Sequence, residues 1–342
     1  MNAITDTGKR DVVVIGSSAG GIDALRRLFS LLPQDSGAAF LVVQHLSAHS
    51  PSELDRILQK CTGMRVVFAR DRELLAPNTV YIAAPDRHLM VEEGRARVTR
   101  GPKECRARPS VDVLFRSAAL AFGPRVIGVV LTGALDDGTA GLWQIKDRLG
   151  LAFVQDPHDA FSRSMPESAI EHVEVDYVGR IEALATRLGR EIGSAVALSG
   201  AAAPSRRQQV EHQVGLEGNG MQAGVMELGK MSKYSCPECH GVLVQIEEGR
   251  LVRFRCHTGH AYSLKSLLAD VDDGIDKGLW DAVRAIEERI LILRQRAGLA
   301  EAAGDPGSAA WLRAEAERAT VKYRPLRELV LDSSFFDADA DK

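Results

Sequence analysis

Apolar residues in the first half of the chain come in short continuous blocks, each ending in glycine or polar residues and followed by helical spacing. Val12, Val13, Val14 and Ile15 run into Gly16-Ser17-Ser18-Ala19-Gly20-Gly21, and Ile22, Leu25, Leu28, Phe29 and Leu32 follow. That order is strand, tight turn, helix. Residues 39–45 predict a buried strand ending at His45. A helix capped by Ser50 or Ser52 then presents Leu54, Ile57 and Leu58. Short strands are expected at 64–69 and 78–84, and a hairpin at 88–99 around Glu93-Gly94. Ser110 and Asp112 suit a helix N-terminus, ahead of Leu114, Phe115, Ala118, Ala119 and Phe122. Residues 126–131 are the most apolar strand of the region, and a helix follows at 142–149. A strand at 151–155, a short helix after Pro166, a strand at 176–179 and a closing helix at 181–198 complete this half. Repeated strand-then-helix order predicts an α/β fold with a doubly wound, mainly parallel, Rossmann-like sheet in three layers, spanning 11–198.

The pattern changes after residue 198. Residues 199–233 are rich in Gly, Ala, Ser and Gln and are expected to be a linker, partly helical near 222–231. A small module at 234–270 carries Cys236-Pro237-Glu238-Cys239, an apolar hairpin turning at Glu248-Gly249, and Cys256-His257-Thr258-Gly259-His260. Two knuckles joined by a hairpin are zinc-ribbon-like, and thiolates with an imidazole suit tetrahedral zinc. The spacing points to Cys236, Cys239, Cys256 and His260 as ligands, with His257 the alternative fourth. Four protein ligands leave no open position, so the Zn2+ is expected to be structural, a staple that so small a module needs. No thioredoxin-like βαβ unit surrounds the Cys-x-x-Cys pair, which weighs against a redox role. Residues 271–335 predict a helical hairpin. Leu279, Val283, Ile286, Ile290 and Leu293 form one stripe, 304–307 break it, and Trp311, Leu312, Ala316 and Thr320 mark a second helix. Pro325 is expected to kink or end that helix. Packing against the zinc module is the plainer expectation for the hairpin. Docking to a helical signalling partner is the other.

Composition narrows the function classes. The 342 residues allow two domains, or one large and one small. A net charge of -3 gives no case for nucleic-acid binding. No apolar run approaches the roughly 18 residues of a membrane span. The first ten residues lack an apolar signal core. Five cysteines, three of them in the knuckles, favour a reducing, cytoplasmic setting over a disulfide framework.

The first turn fits G-x-S-x-G with Ser18 at its centre, where a nucleophilic hydroxyl stands exposed beyond a strand. Glycine-rich turns also bind phosphates, but neither common nucleotide fingerprint is present here. Ser18, His45 and Asp137 each lie just past the carboxyl end of a predicted strand, the edge where such sheets bind ligands. A serine, a base and an orienting acid are the parts of a hydrolytic triad. At this point Asp136 competes with Asp137 for the acid role.

IGSSAGG at 15–21, Gln44-His45, the run 81–88, the run 108–115, Leu131-Thr132-Gly133 with Asp137-Gly138, and Met165-Pro166 together resemble the catalytic domain of CheB-type chemotaxis methylesterases. The resemblance covers about residues 11–195. It implies Ser18 as nucleophile, His45 as general base and Asp137 as the orienting acid. It also implies hydrolysis of glutamyl methyl esters on methylated chemoreceptors, often with deamidation of receptor glutamines, in a shallow open cleft. Backbone N–H groups near Ala19 and Ala134 would then bind the oxyanion. Arg108 and Arg116 either border the cleft or are solvated charges, and His88 receives no role. The chain departs from the family pattern in two ways. With the first strand beginning at Asp11 or Val12, the N-terminal phosphorylatable receiver domain usual in the family is not expected. Ala134 also stands where family members often have methionine, which bears on cleft shape. The competing function class is a zinc-containing interaction or sensor protein that uses the esterase fold as a binding platform.

Overall fold

The computed structural model describes residues 8–48, 51–196 and 203–332; Ser50, Leu198, the first residues of the expected linker and 333–335 lie outside them. Two compact units divide between residues 267 and 268. In the first, the chain runs β1 (Val12–Ser17), α1 (Gly21–Leu31), β2 (Ala39–Gln44), α2 (Leu54–Gln59), β3 (Arg65–Phe68), β4 (Thr79–Ile82), β5 (His88–Glu92), β6 (Arg95–Thr99) and α3 (Val111–Phe122). It continues through β7 (Val126–Val130), α4 (Thr139–Asp147), β8 (Leu151–Gln155), α5 (Ser164–His172), β9 (Tyr177–Gly179) and α6 (Ile181–Glu191). Then come α7 (Arg206–Glu217), α8 (Gly220–Ala223), β10 (Lys230–Ser235), β11 (Val242–Glu248), β12 (Leu251–Cys256) and β13 (Ala261–Ser263).

The main sheet has seven strands in the order β3-β4-β2-β1-β7-β8-β9, and every neighbouring pair is parallel. Alternation along β1 builds the two cores. Val13 and Ile15 face α1, α2 and α6 through Leu25, Leu28, Leu58, Leu184 and Leu188. Val12 and Val14 face Leu114 and Phe115 of α3, Leu142 of α4, Met165 of α5, and Leu89 and Val91 of the antiparallel hairpin β5–β6. Each such side chain, fully buried, contributes about 1.5–3 kcal/mol. The chain first builds the sheet on one side of β1 and then resumes on the other at β7. The crevice at this reversal is where doubly wound sheets bind ligands. The closing helix stops at Glu191, where Gly193 takes a left-handed φ of 82° and donates its N–H to Arg10 O.

Residues 203–233, the described part of the expected linker, are packed structure instead. Ser205 caps α7 in a reciprocal capping box with Gln208. Val210 and Val214 of α7 pack with Val225, Leu228, Val244 and Ile246. Thr99 donates its hydroxyl to Gly215 O in a buried contact. The expected hairpin, β11–β12, is the centre of a four-stranded sheet in the order β10-β11-β12-β13.

A buried ionic seam joins this second sheet to the first half. Glu104 accepts from Arg116 of α3 and from Arg255 of β12. Glu211 of α7 accepts from Arg253 and Arg255, and Glu248 also pairs with Arg253. Burial pushes the Glu211 carboxyl up, but the Arg253, Arg116 and Arg255 charges outweigh it and hold it well below the usual range. Glu104 is lowered in the same way, against burial, by Arg116 and Arg255.

The second unit holds most of α9 (Leu264–Ala302) and all of α10 (Pro306–Leu331). Ile290, Leu293 and Ala297 pack against Leu312, Ala316 and Ala319. Asp305 caps α10 by accepting the Ser308 N–H. Pro325 neither ends nor splits α10, which continues through it to Leu331. Neighbouring turns can carry a helix through a proline despite the one missing donor. No described helix is long and apolar enough to cross a membrane.

Breaking the seam tests its weight. Glu211→Gln leaves Arg253 and Arg255 buried with too little negative charge and should lose about 3–5 kcal/mol of stability at neutral pH. Because the carboxyl is depressed in the fold, the wild-type advantage is fully present above the usual carboxylate range and lost as pH falls below it. Denaturant titrations of both proteins across that range measure the difference. Equal stability at neutral pH would contradict the assignment.

Candidate active site and metal-binding cluster

Strand register brings the candidate residues together. Ser17 of β1 lies opposite Gln44 of β2, so Ser18 and His45 leave neighbouring strands side by side. The Ser18 N–H donates to Thr132 O beyond β7, and the His45 N–H donates to Ser17 O. His45 Nδ1 lies 3.2 Å from Ser18 Oγ, and its Nε2 lies 2.8 Å from Asp137 Oδ2. With Asp137 accepting from Nε2–H, Nδ1 is the free acceptor facing the serine. Asp137 therefore meets His45, whereas Asp136 lines a separate groove with Ser263 and Lys265.

The Asp137 carboxylate sits at the N-terminus of α3. Its Oδ1 accepts from Ser110 Oγ and the Asp112 N–H, and its Oδ2 accepts from the Val111 N–H and His45. Ser110 was expected to cap α3. Its hydroxyl instead serves Asp137, which takes over the helix N–H groups because an anion suits them better. Burial pushes the Asp137 carboxyl up, yet the hydrogen bond and charge of His45 and the two backbone donors bring it below its ordinary value.

Residues without an expected role hold this arrangement. Gln44 accepts from Ser17 Oγ at 2.7 Å and donates to Ser18 O and His45 O, tying the serine turn to the histidine loop. Its position directly before His45 was the only signal in the sequence. A Cβ at Gly21 would collide with the Gln44 side chain, so this turn needs glycine. His88 is buried, donates from Nε2 to Pro102 O and accepts the Ser110 N–H at Nδ1. Burial lowers its pKa, which preserves the neutral ring that this pairing requires. Leu135, beside the cleft, is a non-glycine residue at φ 62°, a strained conformation of the kind held at functional sites.

Ser18, His45, Asp137, Ala134, Lys103 and residues 105–109 line a cleft of about 410 Å³. Arg108 is at its edge, fixed by two hydrogen bonds to Asp86 Oδ1 of 2.8 and 2.6 Å. Arg116 does not border the cleft and is not solvated: it is 3% exposed and committed to Glu104. Ala19 and Ala134 are exposed, and among the described residues their backbone N–H groups donate to no protein acceptor.

The knuckle residues also converge. The ligand atoms of Cys236, Cys239, Cys256 and His260 all lie within 4.8 Å of one another. Cys239 and Cys256 Sγ are 3.6 Å apart, and His260 Nδ1 is 3.6 and 3.5 Å from Cys236 and Cys256 Sγ. A tetrahedral zinc site, with Zn–S near 2.3 Å, spaces its ligands about 3.5–3.8 Å apart. The Thr258 hydroxyl lies 2.9 Å from Cys256 Sγ and 3.3 Å from Cys239 Sγ. His257 packs over Gly241 and is not in the cluster. Cys105, Asp112 and Asp137 form a second close group, but four donors already fill Asp137.

Asp112 gives a pH test of the packing behind the triad. Burial, then the Asp137 charge, raise its carboxyl to about 7, against Arg116, the Gly141 N–H and Arg253. The unfolded chain ionises this group near the ordinary value, so stability drains as pH rises from about 4 to about 7. Asp112→Asn removes that drain. Its Tm should exceed the wild-type value by several degrees above neutrality and converge with it in acid. A difference independent of pH would contradict the raised value.

Comparison with known proteins bears on the first half of the chain. A family model described as CheB methylesterase matches residues 13–188. A relative from Leptospira interrogans serogroup Icterohaemorrhagiae serovar copenhageni (strain Fiocruz L1-130) is 42% identical over 176 residues, 51% of this chain and 91% of that protein. Protein-glutamate methylesterase/protein-glutamine glutaminase 2 of Methanosarcina mazei is 34% identical over 190 residues, 53% of this chain and 52% of that protein, so this chain spans about half its length. The crystal structure of the Thermotoga maritima CheB methylesterase catalytic domain superposes with a TM-score of 0.51 at 32% identity, covering 53% of this chain and 97% of that one. With the sheet order, the strand-end site and these likenesses in agreement, the chain belongs to the CheB methylesterase family.

Proposed function

We propose that this chain is a serine esterase that removes methyl groups from glutamyl methyl esters of chemoreceptor-type proteins, and that the same site deamidates glutamines. The observation that carries the proposal is the continuous relay from Ser18 Oγ through His45 to Asp137, at 3.2 and 2.8 Å, opening into the cleft. His45 Nδ1 takes the Ser18 proton as Oγ attacks the ester carbonyl. Asp137 keeps the ring oriented and stabilises the imidazolium that forms. The oxyanion is received by the N–H groups of Ala19 and Ala134, each worth about 3 kcal/mol in the transition state. Collapse expels methanol, protonated by His45. Water then attacks the glutamyl-serine ester, with His45 again the base, and the free glutamate side chain leaves. With glutamine as substrate the first leaving group is ammonia. Ala134 in place of a larger side chain widens the cleft beside the scissile bond.

Methanol release from methylated receptor measures the proposal. Ser18→Ala should lower the rate by several orders of magnitude with the fold intact. Asp137→Asn should lower it about 10³–10⁴-fold, because the ring then settles in the wrong tautomer. Asp136→Asn should stay near wild type. A Ser18→Ala protein that works at the wild-type rate would sink the proposal.

A further inference from the structure

The cleft has one wall that does not belong to the parallel sheet. Residues 103–109 form a loop in which Cys105 and Arg106 sit at φ 47° and 68°, a left-handed region that non-glycine residues adopt only when held. Part of the hold is internal, through the backbone pair Glu104–Ala107. The rest comes from the second sheet and its first knuckle, at three places. Cys105 N–H donates to Ala261 O at 2.9 Å, and Ala261 N–H donates to Lys103 O at 3.2 Å. The Glu104 carboxylate accepts from Arg255 at 2.8 Å. Lys103 pairs with Glu238 at 2.5 Å.

Each anchor is the immediate neighbour of a cluster residue. Ala261 follows His260, Arg255 precedes Cys256, and Glu238 precedes Cys239. An ion that fixes the cluster would thereby fix all three anchors. We propose that a zinc ion held by Cys236, Cys239, Cys256 and His260 locks the cleft wall 103–109 in place, and that its loss slackens the wall and lowers the esterase rate. The effect on rate rests on the esterase function proposed above; the effect on the wall does not. Zinc is favoured over harder cations because three of the four donors are sulfur. The ion touches no reacting atom. Its part is to order the loop that carries Lys103, Arg106 and Arg108 along the cleft.

The test uses the full chain. Zinc content is measured on protein purified without chelator, and hydrogen exchange is followed by mass spectrometry at 103–109 and at 12–15 of the central strand. About one zinc per chain is expected. Removing it with a chelator, or through Cys239→Ser, should speed exchange at 103–109 by about tenfold or more while 12–15 stays protected, and ester hydrolysis should fall in step. Adding Zn2+ back to the chelated protein should restore both. Glu238→Gln keeps every ligand, so it should retain zinc and loosen the wall less than metal loss does. This variant and the chelation series decide the matter if Cys239→Ser fails to fold. Protein that carries no zinc and binds none on addition would overturn the proposal, as would zinc loss with unchanged exchange at 103–109. Zinc-dependent exchange without ester hydrolysis would fault the esterase function and support the metal-to-wall link.

Discussion

The site depends on one carboxylate at one helix end. Asp137 lies at the start of α3, where four donors converge on its two oxygens, and only one of them is His45. The remaining three come from Ser110, Val111 and Asp112, the beginning of a helix whose other face packs into the sheet. The histidine is thus aimed by the core. Orientation passes from buried Leu114 and Phe115, through the α3 N-terminus and Asp137, to the ring nitrogen that faces Ser18. Asp112 completes the arrangement by turning its carboxyl away to the Gly141 N–H, with its ionisation pushed up to about 7. Two ionised carboxylates side by side at that helix end would repel each other.

Much of this was legible in the sequence, for identifiable reasons. Val12 to Ile15 and residues 126–131 are buried on both faces, so they read as unbroken apolar runs, and the residues just past them had to emerge at one sheet edge. Pairing Ser18 with His45 required the strand register, which a sequence does not print. Residues 203–233 misled because hydrophobic patterning cannot register ionic burial. Glu211, Arg253 and Arg255 look like solvated charges, yet they are among the most deeply enclosed side chains of the second half. Arg116 misled in the same way. Pro325 misled in the opposite direction, since a long helix can absorb one missing backbone donor.

The second sheet is fastened by charge more than by grease. Its own apolar clusters are small, and Glu104, Arg116, Glu211 and Arg255 carry the junction with the first half. A buried ion pair contributes little beyond what well-packed apolar residues would, but severing one strands its partner at a cost of about 3–5 kcal/mol. The junction is therefore poor at generating stability and effective at forbidding separation.

That asymmetry makes the seam a ratchet. An apolar interface can be trimmed one residue at a time, each step losing a little area. Here, deleting the second sheet removes Arg253 and Arg255 together and leaves Glu104 and Arg116 to be reconciled with a new surface. Glu104 would keep Arg116 as its partner, but Glu211 would lose both Arg253 and Arg255 and stand on α7 without a counter-charge. The joint therefore ties the two halves by the charge that either would leave behind in the other, and removing the second sheet calls for a compensating change at Glu211.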